Sequence, residues 1–247
     1  MRGFWKLALT ELKLYLREPI ASFFTLAFPI MLLLLFGGIY GNKPSAFFGG
    51  LGFVDTSVPA YTAIIIGTTG LMSLAISVAS QREKGVLRRY KATPLSPLAY
   101  LGAQVITLYL MTAGGMVLLI LTGKIFYHLR FSGNVLNVWA GFTLSCAAFF
   151  ALGFVLAGIM PTARSAQVAA MILYYPMMFL SGAAIPREVL PAGVHSVAKF
   201  LPMTPVVNLL RGLWNGEGWT GHGGDVLFLA GFTVVFSLTA ARTFRWE

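Results

Sequence analysis

The sequence predicts an all-α integral membrane protein with six transmembrane helices. An N-terminal interfacial amphipathic helix, a short cytoplasmic helix between spans two and three, and an outer re-entrant helical hairpin complete the architecture. Three observations predict it. Of the 247 residues, 57% are hydrophobic and only 11% are charged, against about 25% charged in ordinary soluble domains. Six apolar runs recur along the chain at or near the ~20 residues that a span requires, and none contains Asp, Glu, Lys, Arg or His. No strand-like alternation runs through them, and lipid admits only helices and closed barrels. Composition does not divide the chain, so 1–247 reads as a single transmembrane domain.

Residues 1–18 form the first element. At helical spacing, Arg2, Lys6, Thr10, Lys13 and Arg17 fall within an arc of about 80°. Phe4, Trp5, Ala8, Leu9, Leu12, Tyr15 and Leu16 fill an uninterrupted arc of roughly 140°. Such a helix lies in the inner headgroup layer, bases toward anionic lipid, as an anchor or as a partner-contacting element. Pro19 ends it. The run 20–40 is too long for a signal-peptide core of roughly 7–15 residues and reads as a retained span. The next four are 59–80, 98–123, 135–160 and 166–185. A shorter sixth, 226–241, fits if Gly223–Asp225 lies in the headgroup layer.

Orientation follows from the basic residues near span ends. With the N-terminus inside, the inner segments hold 12 of the 18 Lys and Arg: Arg2, Lys6, Lys13, Arg17, Arg82, Lys84, Arg88, Arg89, Lys91, Arg164, Arg242 and Arg245. The outer segments hold the other 6: Lys43, Lys124, Arg130, Arg187, Lys199 and Arg211. A multi-pass protein of the cell membrane with both termini cytoplasmic is expected.

The outer segment 186–214 is apolar yet carries Pro186, Pro191, Pro202 and Pro205. Prolines this dense break a spanning helix. Two short helices, at 187–200 and 205–214, are expected to dip into the outer leaflet while packed on protein. A seventh span is the alternative, and it would place Arg242 and Arg245 outside.

The inner loop 81–97 is punctuated. Gly85 suits the left-handed turn that closes a helix, Pro94 biases Thr93 out of helical geometry, and Ser96-Pro97 is a cap and first-turn pair for span three. Between these stops Val86, Leu87 and Tyr90 share one side of a short helix, with Arg88, Arg89 and Lys91 around it. Either the loop is a rigid cytoplasmic element or it is a charged segment that only fixes topology.

The run QREKGVLRRYKATPLSPLAYLGAQ resembles the first inner loop of the ABC type-2 exporter permeases. LSGAAIPREVLP and LPMTPVVNLLRGLW resemble that family's outer re-entrant hairpin, and the amphipathic start and six spans match the rest of its pattern. Gln81 and the GAQ at 102–104 depart from its commoner Glu and Gly-Lys. The resemblance implies the type V exporter fold. It matches Glu83, Gly85, Leu87, Arg88 and Tyr90 to the coupling helix that docks in a groove of the ATPase subunit, and residues 1–18 to the connecting helix beside it. It also implies a separate ABC ATPase using ATP and Mg, a second permease copy (identical or not), and alternating access.

Other functions find little support. The bases form no single patch for nucleic acid. The lone Cys146 can make no intramolecular disulfide. A phosphate loop needs G-x-x-x-x-G-K-[ST], and the only Gly-Lys pair, Gly123-Lys124, is followed by Ile125; the chain is expected to be a transport subunit, not itself an enzyme, and to bind no cofactor or metal. His128, His195 and His222 form no metal-ligand pattern. The competing reading is a secondary transporter or channel with no ATPase partner, but carriers place ionisable groups inside the membrane and these spans hold none.

In the resembling family, spans two and five line the path between two permeases. Here they offer Thr68, Thr69, Met72 and Ser73, and Tyr174, Tyr175, Met177, Met178 and Phe179. An aromatic, Met-rich lining suits a hydrophobic or amphipathic cargo such as a drug, lipid or lipid-linked glycan; ordinary helix packing is the alternative. Gly67, Gly70, Gly114 and Gly115 read as sites of close helix approach.

Overall fold

The computed structural model describes residues 2–86, 97–186 and 191–243. It contains no strand among them. The helices are α1 (Arg2–Arg17), α2 (Pro19–Tyr40), α3 (Phe53–Glu83), α4 (Pro97–Tyr127), α5 (Val135–Ile159), α6 (Ala163–Leu180), α7 (Ala192–Ala198), α8 (Met203–Trp214) and α9 (Gly223–Thr243). Five of these, α2, α3, α4, α5 and α9, are long and apolar enough to cross a membrane.

The chain turns sharply between α1 and α2 because Glu18 is extended and Pro19 takes the first helical position, where its missing N–H costs nothing. α3 is the central helix: 78% of its most apolar stretch is buried, against 11% for α9. It packs on α2, α4, α5, α6 and α8, whereas α9 lies against α5 at the edge. Close approach between α3 and α5 requires small residues. A methyl group added to Gly153 would stand 2.0 Å from the Gly70 carbonyl oxygen, and one added to Gly70 would stand 2.7 Å from Phe149 Cβ. Gly67 and Gly115 are also crowded, but Gly114 faces open space, so the expected close approach fails at that position.

Several boundaries differ from those the apolar runs predict. α3 starts at Phe53, ahead of Pro59, because Asp55 accepts the Gly52 N–H at 3.3 Å and caps the helix there. Pro59 sits inside the helix, where it lacks the backbone donor that other helical residues supply. α6 starts earlier than 166, where Thr162 caps Ser165 N–H at 3.1 Å. It ends at Leu180 rather than 185. Gly182 takes a φ of +87°, and the Ala184 N–H turns back to the Met178 carbonyl at 3.1 Å. Apolar composition continues through Ala183 and Ile185 although the helix has stopped.

The described part of the proline-rich segment, 191–214, forms two short helices. α7 is shorter than expected from 187–200, of which 187–190 lies outside the described residues; α8 starts ahead of 205, with Pro205 in its first turn, where proline is tolerated. The Thr204 hydroxyl donates to the Ala198 carbonyl at 2.6 Å and fixes the angle between the two. α8 is no surface helix. Met203, Val206, Val207, Leu209, Leu210 and Leu213 are all buried, packed against α3, α5 and α9. Its end is pinned by Trp214, whose indole N–H donates to the Arg130 carbonyl at 3.0 Å.

Two helices widen locally into π turns, α2 over Phe23–Ala27 and α3 over Thr68–Ser73, and the two wide turns touch. Such turns are rare and concentrate at functional sites.

Candidate functional site

Two groups of residues stand out, one at the end of α3 and one halfway along it. α3 ends on Arg82 and Glu83, followed by Gly85 at φ +68°, the left-handed closure that its position predicts. The Gly85 N–H bonds the Arg82 carbonyl at 2.9 Å. Arg82 and Glu83 both reach the turn between α5 and α6. The Arg82 guanidinium donates to the carbonyls of Gly158, at 3.3 Å, and Met160, at the C-terminal end of α5. Glu83 Oε2 accepts the Ala163 N–H, the first of α6, at 2.9 Å. Helix termini leave carbonyls unpaired at one end and N–H groups at the other, and they carry partial charges of opposite sign. A cation on the end of α5 and an anion on the start of α6 satisfy both. The end of α3 is thereby clamped to the turn between α5 and α6.

Leu87, Arg88 and Tyr90, the rest of the expected coupling helix, lie outside the described residues, as do 86–92 beyond Val86. Arg82 is the residue that sequence reasoning missed here: it counted only as a topology-setting charge.

The second group surrounds the π turn of α3. Thr68 and Thr69 donate to the carbonyls of Ile64 and Ile65, each at 2.9 Å, a pairing Thr commonly makes within helices. From there they face different neighbours. The Tyr174 hydroxyl on α6 lies 2.9 Å from Thr68 Oγ1 and 3.3 Å from the Ile64 carbonyl. Thr112 on α4 donates to Thr69 Oγ1 at 2.8 Å. Ser73 lies 3.0 Å from the Tyr15 hydroxyl of α1, which also meets Thr25 of α2 at 2.7 Å. A seam of hydroxyls thus joins α1, α2, α3, α4 and α6 through one stretch of α3.

The residues expected to line a path therefore divide. Thr68, Thr69, Tyr174, Met177 and Met178 are buried within this chain. Met72 and Ser73 are half-buried. Tyr175 and Phe179 are 40% and 46% exposed and continue a stripe with Val168 and Ile172 along the free face of α6. At the N-terminal end of that stripe Met160, Thr162, Arg164, Ser165, Val168, Ala169 and Ile172 line a shallow depression of about 480 Å³. At the far end of the fold His222 lies 2.8 Å from Glu217 and 3.3 Å from Asp225; the described residues hold no group of three or more side chains able to bind a metal ion.

Among the described residues the helical body thus carries a clamp at the end of α3 and a buried hydroxyl seam halfway along it. Residues 2–214 match the family model of the ABC-2 type transporter, and the chain belongs to that family. The matched stretch is a membrane permease domain of the ABC-2 type. Relatives agree. The chain is 21% identical over 181 residues to the inner membrane transport permease YhhJ of Escherichia coli (strain K12), covering 72% of this chain and 46% of YhhJ. It is 23% identical over 248 residues to the putative transport permease YvfS of Bacillus subtilis (strain 168), covering 94% and 93% of the two chains. The chain thus spans about half the length of YhhJ.

Proposed function

We propose that this chain is the permease of an ATP-driven exporter that moves a hydrophobic or amphipathic molecule (a drug, a lipid or a lipid-linked glycan) out of the cytoplasm by alternating access. Two permeases and two separate ABC ATPase subunits form the working complex; the ATPases use ATP and Mg, and nucleic acid plays no part. The protein sits in the cell membrane with both termini cytoplasmic. It has the type V exporter fold with α6 as the fifth of six spans and α7–α8 as the re-entrant outer hairpin. The burial of α8 against α3 and α5 favours a hairpin held by protein over one lying in lipid. The inner-membrane location of YhhJ supports the membrane assignment.

The observation that carries the proposal is the clamp formed by Arg82 and Glu83. Residues 81–97 form the coupling loop, in which Glu83, Gly85, Leu87, Arg88 and Tyr90 receive the push from the ATPase. Because Arg82 and Glu83 hold the α5–α6 turn, that push reaches α3 and α6 together. α3 and α6 meet again at Thr68 and Tyr174, so both ends of the lever are linked. Tyr175 and Phe179 present an adaptable apolar wall to cargo, and Met72, Met177 and Met178 join it as the helices part. Thr68, Thr69, Ser73 and Tyr174 act as the pivot beneath that wall.

Leu87→Asp and Tyr90→Asp test this reading. Each places a charge where an apolar knob docks. ATP-dependent efflux of a hydrophobic dye from cells should fall by about tenfold or more, the effect of roughly 1.4 kcal/mol in coupling, with insertion and extraction unchanged. Full dye efflux together with intact ATPase association in both variants would refute the mechanism.

A further inference from the structure

We propose that Tyr15 is a positioning residue whose hydroxyl links helix α1 to the wide turns of both α2 and α3, so that movement of α1 reaches the π segment carrying Thr68. The inference rests on the exporter reading above and assigns to one side chain the path from the N-terminal helix to the interior.

The geometry points to it in three steps. First, Tyr15 belongs by spacing to the apolar arc of an interfacial helix, yet it is buried while Trp5, Leu9 and Leu16 around it are more than half exposed. It projects inward where its neighbours stay outside. Second, its hydroxyl meets two partners on different helices, Thr25 Oγ1 at 2.7 Å and Ser73 Oγ at 3.0 Å. A phenol has one hydrogen to give, so it donates to at most one of these hydroxyls and accepts from the other. Burial pushes the phenol above its ordinary range, which keeps that hydrogen in place. Third, the partners are not arbitrary positions. Thr25 lies in the π turn Phe23–Ala27, and Ser73 ends the π turn Thr68–Ser73.

Wide turns interrupt the regular hydrogen-bond ladder, so they are the places where a helix changes register. One hydroxyl touching both fixes their relative position. α1 is held at two further points: the Ser22 hydroxyl donates to the Tyr15 carbonyl at 2.8 Å, and the Thr107 hydroxyl of α4 donates to the Ala8 carbonyl at 3.1 Å. α1 therefore moves with the body of the protein, and Tyr15 sets how its displacement divides between α2 and α3.

The test uses the complex co-purified with its ATPase and reconstituted into lipid vesicles, with Hoechst 33342 as the transported probe. Tyr15→Phe keeps the ring and removes both contacts; Thr25→Val combined with Ser73→Ala removes the partners. Each should retain ATP hydrolysis and subunit stoichiometry while dye moved per ATP falls at least about fivefold, the lower end of typical coupling between sites. Combining all three changes should add nothing further, because they break one linkage. Thr25→Ser with Ser73→Thr, which keeps both hydroxyls, should restore the ratio. An unchanged dye-to-ATP ratio in Tyr15→Phe would overturn the role of Tyr15, as would a parallel loss of hydrolysis, assembly and thermal stability, which marks a merely structural contact. A wild-type complex whose dye movement ignores ATP would instead overturn the exporter reading, and this inference with it.

Discussion

Gly153→Leu should leave no extractable folded protein. A Cβ at this position stands 2.0 Å from the Gly70 carbonyl oxygen and 3.1 Å from its carbon, and both are main-chain atoms of the central helix. No rotamer change relieves that clash; α3 and α5 must separate. Lipid supplies no hydrophobic force to push helices together, so their association depends on close packing. Separation loses contacts along the two most buried of the five long apolar helices, and it pulls Gly70 out of the π turn that Thr68 and Thr69 share. Gly153→Ala alone should cost about 3 kcal/mol, the upper end of ordinary overpacking, because the obstacle is backbone. Gly114→Ala provides the control. A methyl there meets nothing within 4 Å, so its thermal unfolding in nanodiscs should match wild type. Fluorescence-detected size-exclusion separates these outcomes directly: a void-volume peak for Gly153→Leu, a single unshifted peak for Gly114→Ala.

Asp55→Ala should be the second most damaging change, and it acts at the opposite end of α3. The Asp55 carboxylate is buried and accepts from the Asn42 side-chain amide at 2.9 Å, the Arg130 N–H at 2.9 Å and the Gly52 N–H at 3.3 Å. Asn42 answers by accepting the Asp55 N–H at 3.1 Å. One side chain thus ties the α2–α3 loop to the α4–α5 loop and caps α3. Its removal strands the Gly52 and Arg130 N–H donors, at about 1–3 kcal/mol for each buried group left unpaired, while the Asn42 amide keeps the Tyr127 carbonyl at 3.2 Å. A loss of about 3 kcal/mol is expected. Asp55→Asn should fall between the two, because an amide offers one acceptor oxygen where the carboxylate offers two. Thermal unfolding in nanodiscs measures all three, and proteolysis at 43–52 should rise in the same order.

Much of this architecture was legible in residues whose physics is local. Pro19 ended α1, Gly85 took its left-handed turn, and the prolines of 186–205 produced short helices instead of a span. Each acts through its own backbone, so one position suffices to read it. Apolar runs located α2, α4, α5 and α9 closely for the same reason. They misplaced the end of α6, since Ala183 and Ile185 are as apolar inside a turn as inside a helix, and only the conformation of Gly182 decides.

The candidate site was less legible because its contacts are distant in sequence. Arg82 meets carbonyls at 158 and 160, and no pattern around position 82 announces acceptors so far along the chain. Tyr15 satisfied the spacing of an apolar arc, which hid a hydroxyl with partners on two other helices. The π turns have no composition of their own; Thr68–Ser73 is an ordinary apolar stretch with two threonines. Glycine type alone likewise could not separate Gly153 from Gly114, because only the facing helix tells them apart.

The central claim is that this permease works only with a separate ATPase docked on its inner loop. The most direct measurement is purification of the tagged chain from membranes in mild detergent, followed by mass spectrometry of what elutes and an assay of ATP hydrolysis. The account predicts an ABC ATPase in equal stoichiometry with the chain, ATP hydrolysis in the eluate, and loss of both from Leu87→Asp preparations if docking itself fails, or of dye efflux alone if only coupling does. Elution of the chain without an ATPase, from membranes in which dye efflux runs at full rate, would contradict it.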